Sequence, residues 1–171
     1  DDNFISTLQE VVPVDNVAVT ISSDIPIGCG LGSSAALSVA LIRAAAAWKN
    51  EELSAALLFS RAKNLEARFH NTPSGLDNAT SAMGGFITFR NTSPPQITPC
   101  NSPPWGVVII NSHIQASTSE MVAVAAQHPD RDTLFRTIGG LTEEIHKHLA
   151  DIEHIGPLLT QNHALLQRLG V

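Results

Sequence analysis

Three glycines at alternate positions separate a β-branched stretch from an alanine-rich one, in the segment PIGCGLGSSAA from Pro26 to Ala36. The preceding residues Asn16 to Ser22 (NVAVTIS) alternate as a strand does. The following residues Ser33 to Trp48 have the apolar spacing of a buried helix. A glycine-rich turn from a strand into a helix leaves the first amides of the helix unpaired, and the helix dipole adds partial positive charge. Such a turn can therefore bind an anion such as phosphate.

The loop by itself does not distinguish a phosphate site from a close-packed turn. It lacks the G-K-[ST] ending of a Walker A motif and the G-x-G-x-x-G spacing of a dinucleotide fingerprint. If the loop binds phosphate, its backbone approaches the ligand closely, and a hydroxyl of Ser33 or Ser34 can reach Mg²⁺. If the loop is only a turn, Ser33 is an ordinary N-cap. Both interpretations stay open at this point.

Length and composition restrict the range of functions. With 171 residues, 43% of them hydrophobic, the chain can form one ordinary domain or parts of two around a sizeable core. Its net charge of −6 argues against nucleic acid and anionic membrane as partners. No apolar run approaches the roughly 20 residues of a membrane span. The two cysteines, Cys29 and Cys100, are too few for a disulfide scaffold, which favours the reducing cytoplasm.

Periodicity and turn signals predict the remaining elements. In chain order these are a helix capped by Asn50 and running to about Phe69, a short helix Asp77 to Met83, a strand Phe86 to Arg90, a proline-rich connection, a buried strand Trp105 to Asn111, and helices Ser119 to Gln127, Asp132 to Ile155 and Pro157 to Leu169. Strands and loops give way to helices near residues 100 to 115. We therefore predict a domain boundary there, with domains at 1–104 and 105–171.

Two carboxylates are candidates for chemistry beside the glycine loop. Asp77 follows the turn-forming segment HNTPSGL, and Glu66 lies near the end of the preceding predicted helix. A phosphate loop with two carboxylates suggests phosphoryl transfer, in which one carboxylate holds Mg²⁺ and the other orients or deprotonates a hydroxyl. Spacing alone favours a solvated surface role for Glu66, because surface glutamates on helices are abundant. For Asp77 it leaves open a role as the N-cap of a short helix.

Three segments resemble signatures of one protein family. The loop PIGCGLGSSAA resembles P-x-x-x-G-L-G-S-S-A-A, the ATP-phosphate loop of the GHMP kinases. The segment HNTPSGLDN, from His70 to Asn78, resembles H-G-x-P-S-G-x-D-N of the mevalonate kinases within that family. Ala116 to Thr118 resembles the S-T stretch that opens the family's C-terminal domain. These landmarks stand in the family's order, and the resemblance runs from about Val17 to Val171.

The resemblance implies a fold and an activity. The expected fold is α+β, with an N-terminal ATP-binding domain resembling ribosomal protein S5 domain 2 and a helix-rich C-terminal domain. The implied reaction is the ATP- and Mg²⁺-dependent phosphorylation of mevalonate to 5-phosphomevalonate, a step of isoprenoid biosynthesis. ATP and mevalonate are thus the expected partners. Homodimers are common in the family, so a second copy is a further candidate, although the sequence identifies no interface.

The resemblance also assigns roles to individual residues. Asp77 matches the catalytic aspartate, while Glu66 and Ser34 match the residues that hold Mg²⁺. The segment that matches the family's phosphate-binding loop, whose backbone holds the ATP phosphates, consists of Gly30, Leu31, Gly32, Ser33 and Ser34. The residues that match the substrate cleft and the loop presenting the aspartate are Ser74, Gly75 and Thr118.

Two family signatures have no counterpart in this sequence. The P-G-K segment, whose lysine pairs with the catalytic aspartate, is missing, since the first lysine is Lys49. The third, G-x-G-G-G-G signature is missing as well. We therefore expect an internal fragment, a truncated product or a degenerate copy, with weak or no kinase activity when tested alone. The alternatives are another GHMP kinase, such as mevalonate 3-kinase or phosphomevalonate kinase, or a non-catalytic nucleotide-binding homologue.

The seven histidines form no cluster with zinc spacing in the sequence. His146 and His148 stand on either side of Lys147, so a helix does not bring them to one face. We interpret them as solvated residues.

Overall fold

The computed structural model describes residues 18–68, 73–112 and 118–171. Within them, six helices and two strands follow one another as α1 Ser33–Trp48, α2 Ala55–Glu66, α3 Leu76–Met83, β1 Phe86–Arg90, β2 Gln96–Cys100, α4 Thr118–Gln127, α5 Arg131–Lys147 and α6 Ile152–Arg168. This mixture confirms the predicted α+β class. Among the described helices, none is long and apolar enough to cross a membrane.

The chain divides into two compact units, Asp1–Asn101 and Ser102–Val171. The division falls close to the change from strands to helices in the sequence. That these units correspond to the two domains of a GHMP kinase stays a prediction.

The described part of the first unit contains three helices and a hairpin. Its core consists of small and branched side chains from α1, α2 and α3, namely Val39, Leu41, Ile42, Leu58, Phe59, Ala62, Leu65, Ala79 and Ala82. Three alternate side chains of the hairpin, Ile87, Phe89 and Ile97, pack against this cluster. The guanidinium of Arg43 on α1 donates a 2.9 Å hydrogen bond to the carbonyl of Ala82 at the end of α3. The helices that carry the candidate site are therefore held by a common core.

The second helix begins four residues later than the sequence predicts. Asn50 is not an N-cap, because it adopts a left-handed φ of 52° and ends α1, with the Glu51 amide bonded to the Ala46 carbonyl. The cap of α2 is Ser54, whose hydroxyl accepts a hydrogen bond from the Leu57 amide at 3.2 Å. An asparagine suits both ends of a helix, which explains the error. The helix ends at Glu66, and the predicted end at Phe69 lies outside the described residues.

The ion pair between Glu51 and Arg61 joins the turn after α1 to α2. Both nitrogens of the Arg61 fork donate to the Glu51 carboxylate, at 2.9 and 2.6 Å. This hydrogen bonding lowers the pKa of Glu51 from its ordinary value. The pair fixes the turn through a planar, two-point contact.

The hairpin is only partly predicted by the sequence. Strand β1 is confirmed, and it pairs antiparallel with β2, with Phe86 opposite Cys100 and Arg90 opposite Gln96. The sequence predicts a plain connection where β2 forms, because its prolines argue against a strand. Pro99 is tolerated since proline can occupy an edge strand.

Two predicted strands are not strands in the described residues. Residues 18–22 and 105–111 take no regular secondary structure there. The second stretch was expected to be buried, yet Val108 and Ile110 are 86% and 88% exposed. The β-branched residues set a local preference, but a strand forms only where another strand accepts its hydrogen bonds. In the described sheet β1 and β2 pair only with each other.

The second unit is helical, as predicted, with its buried side chains Leu134, Ile155 and Leu169. The predicted helix Asp132 to Ile155 is wrong, because the chain turns between α5 and α6. Asp151 caps α6 by accepting a 3.1 Å hydrogen bond from the His154 amide. Pro157, predicted to begin the last helix, instead lies inside α6. The indole of Trp105 donates to the Leu149 carbonyl at 2.8 Å and so secures the turn.

Candidate functional site

The glycine loop enters α1 through Gly32. This residue is the N-cap and adopts a left-handed φ of 65°, a conformation that costs a residue with a side chain about 1–2 kcal/mol. Ser33 is therefore not the N-cap but the first helical residue. Because Gly32 has no side chain, the first turn of α1 has no side-chain cap. Its amides are thus oriented as an anion ligand requires.

Asp77 lies against this end of the glycine loop. A Cβ at residue 32 would stand 3.4 Å from the Cβ of Asp77 and 3.7 Å from its Oδ2. Asp77 is exposed in the first turn of α3. That helix begins through Gly75, whose φ is 88°, and the Ser74 hydroxyl accepts a 3.2 Å hydrogen bond from the Leu76 amide. The turn thus presents an exposed carboxylate to the loop.

Ser34 and Glu66 form the second half of the arrangement. The hydroxyl of Ser34 on α1 donates to Oε1 of Glu66, the last residue of α2, at 2.9 Å. Glu66 is only 5% exposed, so it is not the solvated residue that its spacing favoured. Its Oε2 is buried and has no hydrogen-bond partner among the described residues. Such an atom in a native protein calls for an explanation, and a bound cation is one of them.

Two further buried polar residues were missed by the sequence reasoning. Asn78 follows Asp77 and is fully buried, and neither polar atom of its side chain has a partner in the described chain. Ser38 lies one turn beyond Ser34 on α1, and its buried hydroxyl is also unpaired there. Two sequence features could have identified them: Ser38 stands four residues after Ser34, and Asn78 is the asparagine of the PSGLDN motif. Both lie on the helices that carry Ser34 and Asp77.

The remaining predicted site residues lie in the glycine loop, in the turn before α3 and in the second unit. Gly30 has a left-handed φ of 71°, and Leu31 is 41% exposed beside it. A Cβ at Gly75 would lie 3.1 Å from Cδ of Lys63, so the turn fits closely on α2. Thr118, the first residue of α4, belongs to the second unit, and its place in the site stays a prediction. His70 lies outside the described residues.

The first unit therefore brings three functional elements together. A helix N-terminus preceded by a glycine loop can hold phosphate oxygens. The carboxylate oxygen of Glu66 that has no partner in the described chain, together with the nearby Ser34 hydroxyl, offers the hard oxygen ligands that Mg²⁺ prefers. An exposed aspartate at the loop can contact a second substrate. This combination suits transfer of a phosphoryl group.

Comparisons with known proteins agree with this chemistry. Residues 3–85 match the family model described as the GHMP kinases N terminal domain. Mevalonate kinases from Thermococcus sibiricus, Arabidopsis thaliana and Archaeoglobus fulgidus are 29%, 31% and 32% identical to the chain. These alignments cover 96%, 98% and 95% of the chain and 52%, 51% and 56% of the relatives. The chain thus spans about half the length of these curated relatives.

Solved structures support the same fold. The mevalonate kinase of Methanococcus jannaschii aligns at 22% identity with a TM-score of 0.74, over 99% of this chain and 56% of that one. The L. major mevalonate kinase in complex with R-mevalonate aligns at 23% identity with a TM-score of 0.73, over 98% of this chain and 56% of that one. The predicted GHMP kinase fold is therefore confirmed for this part of it. Sequence and fold thus agree: residues 3–85 are similar to the N-terminal domain of the GHMP kinases, and the chain shares the fold of solved mevalonate kinases.

Proposed function

We propose that this protein transfers the γ-phosphoryl group of ATP to the primary hydroxyl of mevalonate, forming 5-phosphomevalonate and ADP in isoprenoid and sterol biosynthesis. The proposal rests on the position of Asp77, whose side chain lies beside Gly32 of the glycine loop. Next to this loop, Ser34 is hydrogen-bonded to Glu66. The relatives, which are mevalonate kinases, support the choice of substrate.

In this proposal the segment Gly30 to Ser34 holds the ATP phosphates. Its backbone amides and the N-terminus of α1 would stabilise the negative charge of the phosphate oxygens. The Asp77 side chain lies directly beside Gly32, at the phosphate end of the loop. Catalysis then consists mainly of positioning and charge stabilisation.

Glu66 and Ser34 would hold the Mg²⁺ ion that accompanies ATP. The fit rests on the buried Oε2 of Glu66, which lacks a partner among the described residues, and on the adjacent hydroxyl. When bound, Mg²⁺ neutralises charge on the phosphates. The hydrogen bond from Ser34 orients the Glu66 carboxylate for this purpose.

Asp77 would act on the substrate alcohol. Its carboxylate accepts a hydrogen bond from the mevalonate hydroxyl and takes the proton as the new oxygen–phosphorus bond forms and the bond to ADP breaks. Ser74 and Gly75 set the turn that presents it, and Thr118 of the second unit would line the cleft. The two free cysteines fit a cytoplasmic location.

Product analysis tests the proposal directly. The protein is expressed from its complete reading frame and incubated with ATP, Mg²⁺ and mevalonate, and the product is identified by ³¹P NMR. We expect 5-phosphomevalonate. Formation of a 3-phosphate, or turnover of phosphomevalonate alone, would instead identify another GHMP kinase. Nucleotide binding with no phosphorylated product would show a non-catalytic homologue.

A further inference from the structure

Three potential metal ligands come together where α5 turns into α6. Glu144 lies in the last turn of α5, His148 is the C-cap of that helix, and His154 lies in the first turn of α6. Glu144 and His148 are four residues apart, so they share one face of the helix. His154 reaches the same place only because the chain reverses between the helices. The predicted single helix Asp132 to Ile155 concealed this arrangement.

The turn that brings His154 into place is secured from several sides. The Asp151 carboxylate accepts a hydrogen bond from the His154 amide at 3.1 Å. The Trp105 indole binds the Leu149 carbonyl at 2.8 Å, and the neighbouring Ile155 is only 1% exposed. The backbone that carries His154 is therefore anchored, while its side chain is about two-fifths exposed. A ligand from solvent can reach it.

The distances suit a tetrahedral ion. Oε1 of Glu144 lies 3.2 Å from Nε2 of His148 and 3.5 Å from Nε2 of His154. One donor atom from each of the three side chains lies within 4.8 Å of the others. In a tetrahedral zinc site with bonds of about 2.0–2.1 Å, donor atoms are about 3.3 Å apart. Small side-chain movements would therefore place all three donors on one ion.

We propose that Glu144, His148 and His154 bind a divalent transition-metal ion, Zn²⁺, with water as the fourth ligand. Two imidazoles and one carboxylate are a ligand set that Zn²⁺ accepts, whereas Mg²⁺ prefers oxygen alone. The ion would join the end of α5 to the start of α6. Its charge is also favoured by the carbonyl end of the α5 dipole.

The ammonium group of Lys147 lies next to the proposed site, and its positive charge would repel a metal ion that bound the same carboxylate oxygen. This ammonium lies 3.3 Å from Oε2 of Glu144, whereas the two imidazoles face Oε1. Lys147 thus contacts Oε2 of Glu144, and Oε1 stays available to the ion.

Calorimetric titration with ZnCl₂ tests the proposal on the chelator-treated chain, in buffer that contains excess Mg²⁺. We expect one equivalent of Zn²⁺ to bind, and Glu144→Gln and His154→Asn each to weaken binding at least about tenfold. The control His163→Asn removes an exposed histidine elsewhere on α6 and should bind Zn²⁺ as the unchanged chain does. Far-UV circular dichroism checks that each variant keeps its helices.

A second measurement separates this site from other zinc-binding groups. Because an ion that binds only the folded state stabilises it, Zn²⁺ should raise the unfolding midpoint of the unchanged chain and of Glu66→Gln, but not that of His154→Asn. The proposal is overturned if Zn²⁺ binds only weakly, with Kd above about 100 μM. It is equally overturned if His154→Asn and Glu144→Gln bind Zn²⁺ undiminished, since the ion then lies elsewhere.

Discussion

At the scale of single residues, Gly32 links the conformation of the loop to the position of Asp77. It adopts a left-handed φ at the start of α1, and the side chain of Asp77 lies directly beside it. The motif predicted both residues, because glycine and aspartate are visible in the sequence. It could not predict the burial of Glu66, which results from packing between α1 and α2. The burial of Ser38 and Asn78 was not predicted for the same reason.

Replacement of Gly32 should therefore destabilise the chain for a local reason. Gly32→Ala forces a left-handed conformation on a residue with a Cβ, and we expect the free energy of unfolding to fall by about 1–2 kcal/mol. The control is Gly139→Ala in the middle of α5, where the added Cβ meets nothing within 4 Å. That change should stabilise the chain by about 0.5–1 kcal/mol. Urea denaturation measures both, and equal stability of the two variants would contradict this account.

Removal of the Glu66 charge should alter the metal requirement rather than the fold. In Glu66→Gln the side-chain carbonyl still accepts the Ser34 hydrogen bond, but the anionic ligand is lost. We expect the Mg²⁺ concentration for half-maximal ATP binding to rise by at least about tenfold. Stability should not decrease, since a buried charge is removed. The exposed Glu52→Gln is the matched control, and an equal Mg²⁺ requirement in both variants would remove Glu66 from the metal site.

At the scale of elements, the sequence predicted what local signals determine and missed what tertiary contacts determine. Helix α1 and strand β1 form where periodicity indicates. The strand predicted at Trp105 to Asn111 does not, because strand formation depends on a partner rather than on β-branched residues alone. The break between α5 and α6 is held by two contacts that periodicity does not reveal: the Asp151 carboxylate accepts a hydrogen bond from the His154 amide, and the Trp105 indole donates to the Leu149 carbonyl.

The pair of Glu51 and Arg61 makes the turn after α1 sensitive to acid. Since the folded state lowers the pKa of Glu51 below the ordinary 4.5, the pair stabilises the fold above that pH and ceases to do so as pH falls through the folded pKa. Glu51→Gln should therefore reduce the free energy of unfolding at pH 7. The difference from the unchanged chain should shrink as the pH falls below 4.5 and vanish once the pH is below the folded-state pKa of Glu51. A difference that persists in acid, or a similar pH-dependent loss in Glu52→Gln, would argue against this role.

At the scale of the whole molecule, apolar residues that the predicted strand would bury are exposed. Val107 to Ile110 are exposed by 66% to 88% in consecutive positions. Contiguous apolar surface of this kind promotes association between copies. The location of these residues was predictable from the sequence, but their exposure was not.

We therefore expect the isolated chain to self-associate, and charged residues in this segment to reduce the effect. Val108→Lys combined with Ile110→Lys should lower light scattering at equal protein concentration. Val122→Lys, which replaces one exposed residue of α4 outside this segment, should have a smaller effect. If the double variant scatters as strongly as the unchanged chain, the association arises from another surface.

The central claim is that Asp77 acts on an alcohol held beside the phosphate loop, and steady-state kinetics of Asp77→Asn test it most directly. The measurement is kcat for ADP release with mevalonate, using protein from the complete reading frame, together with the Kd for ATP. Asp132→Asn is the matched control, because it removes an exposed carboxylate from the first turn of α5. The account predicts that Asp77→Asn loses about 10²–10⁴-fold in kcat with ATP binding retained, while the control is unaffected. Near-normal turnover in Asp77→Asn would contradict it.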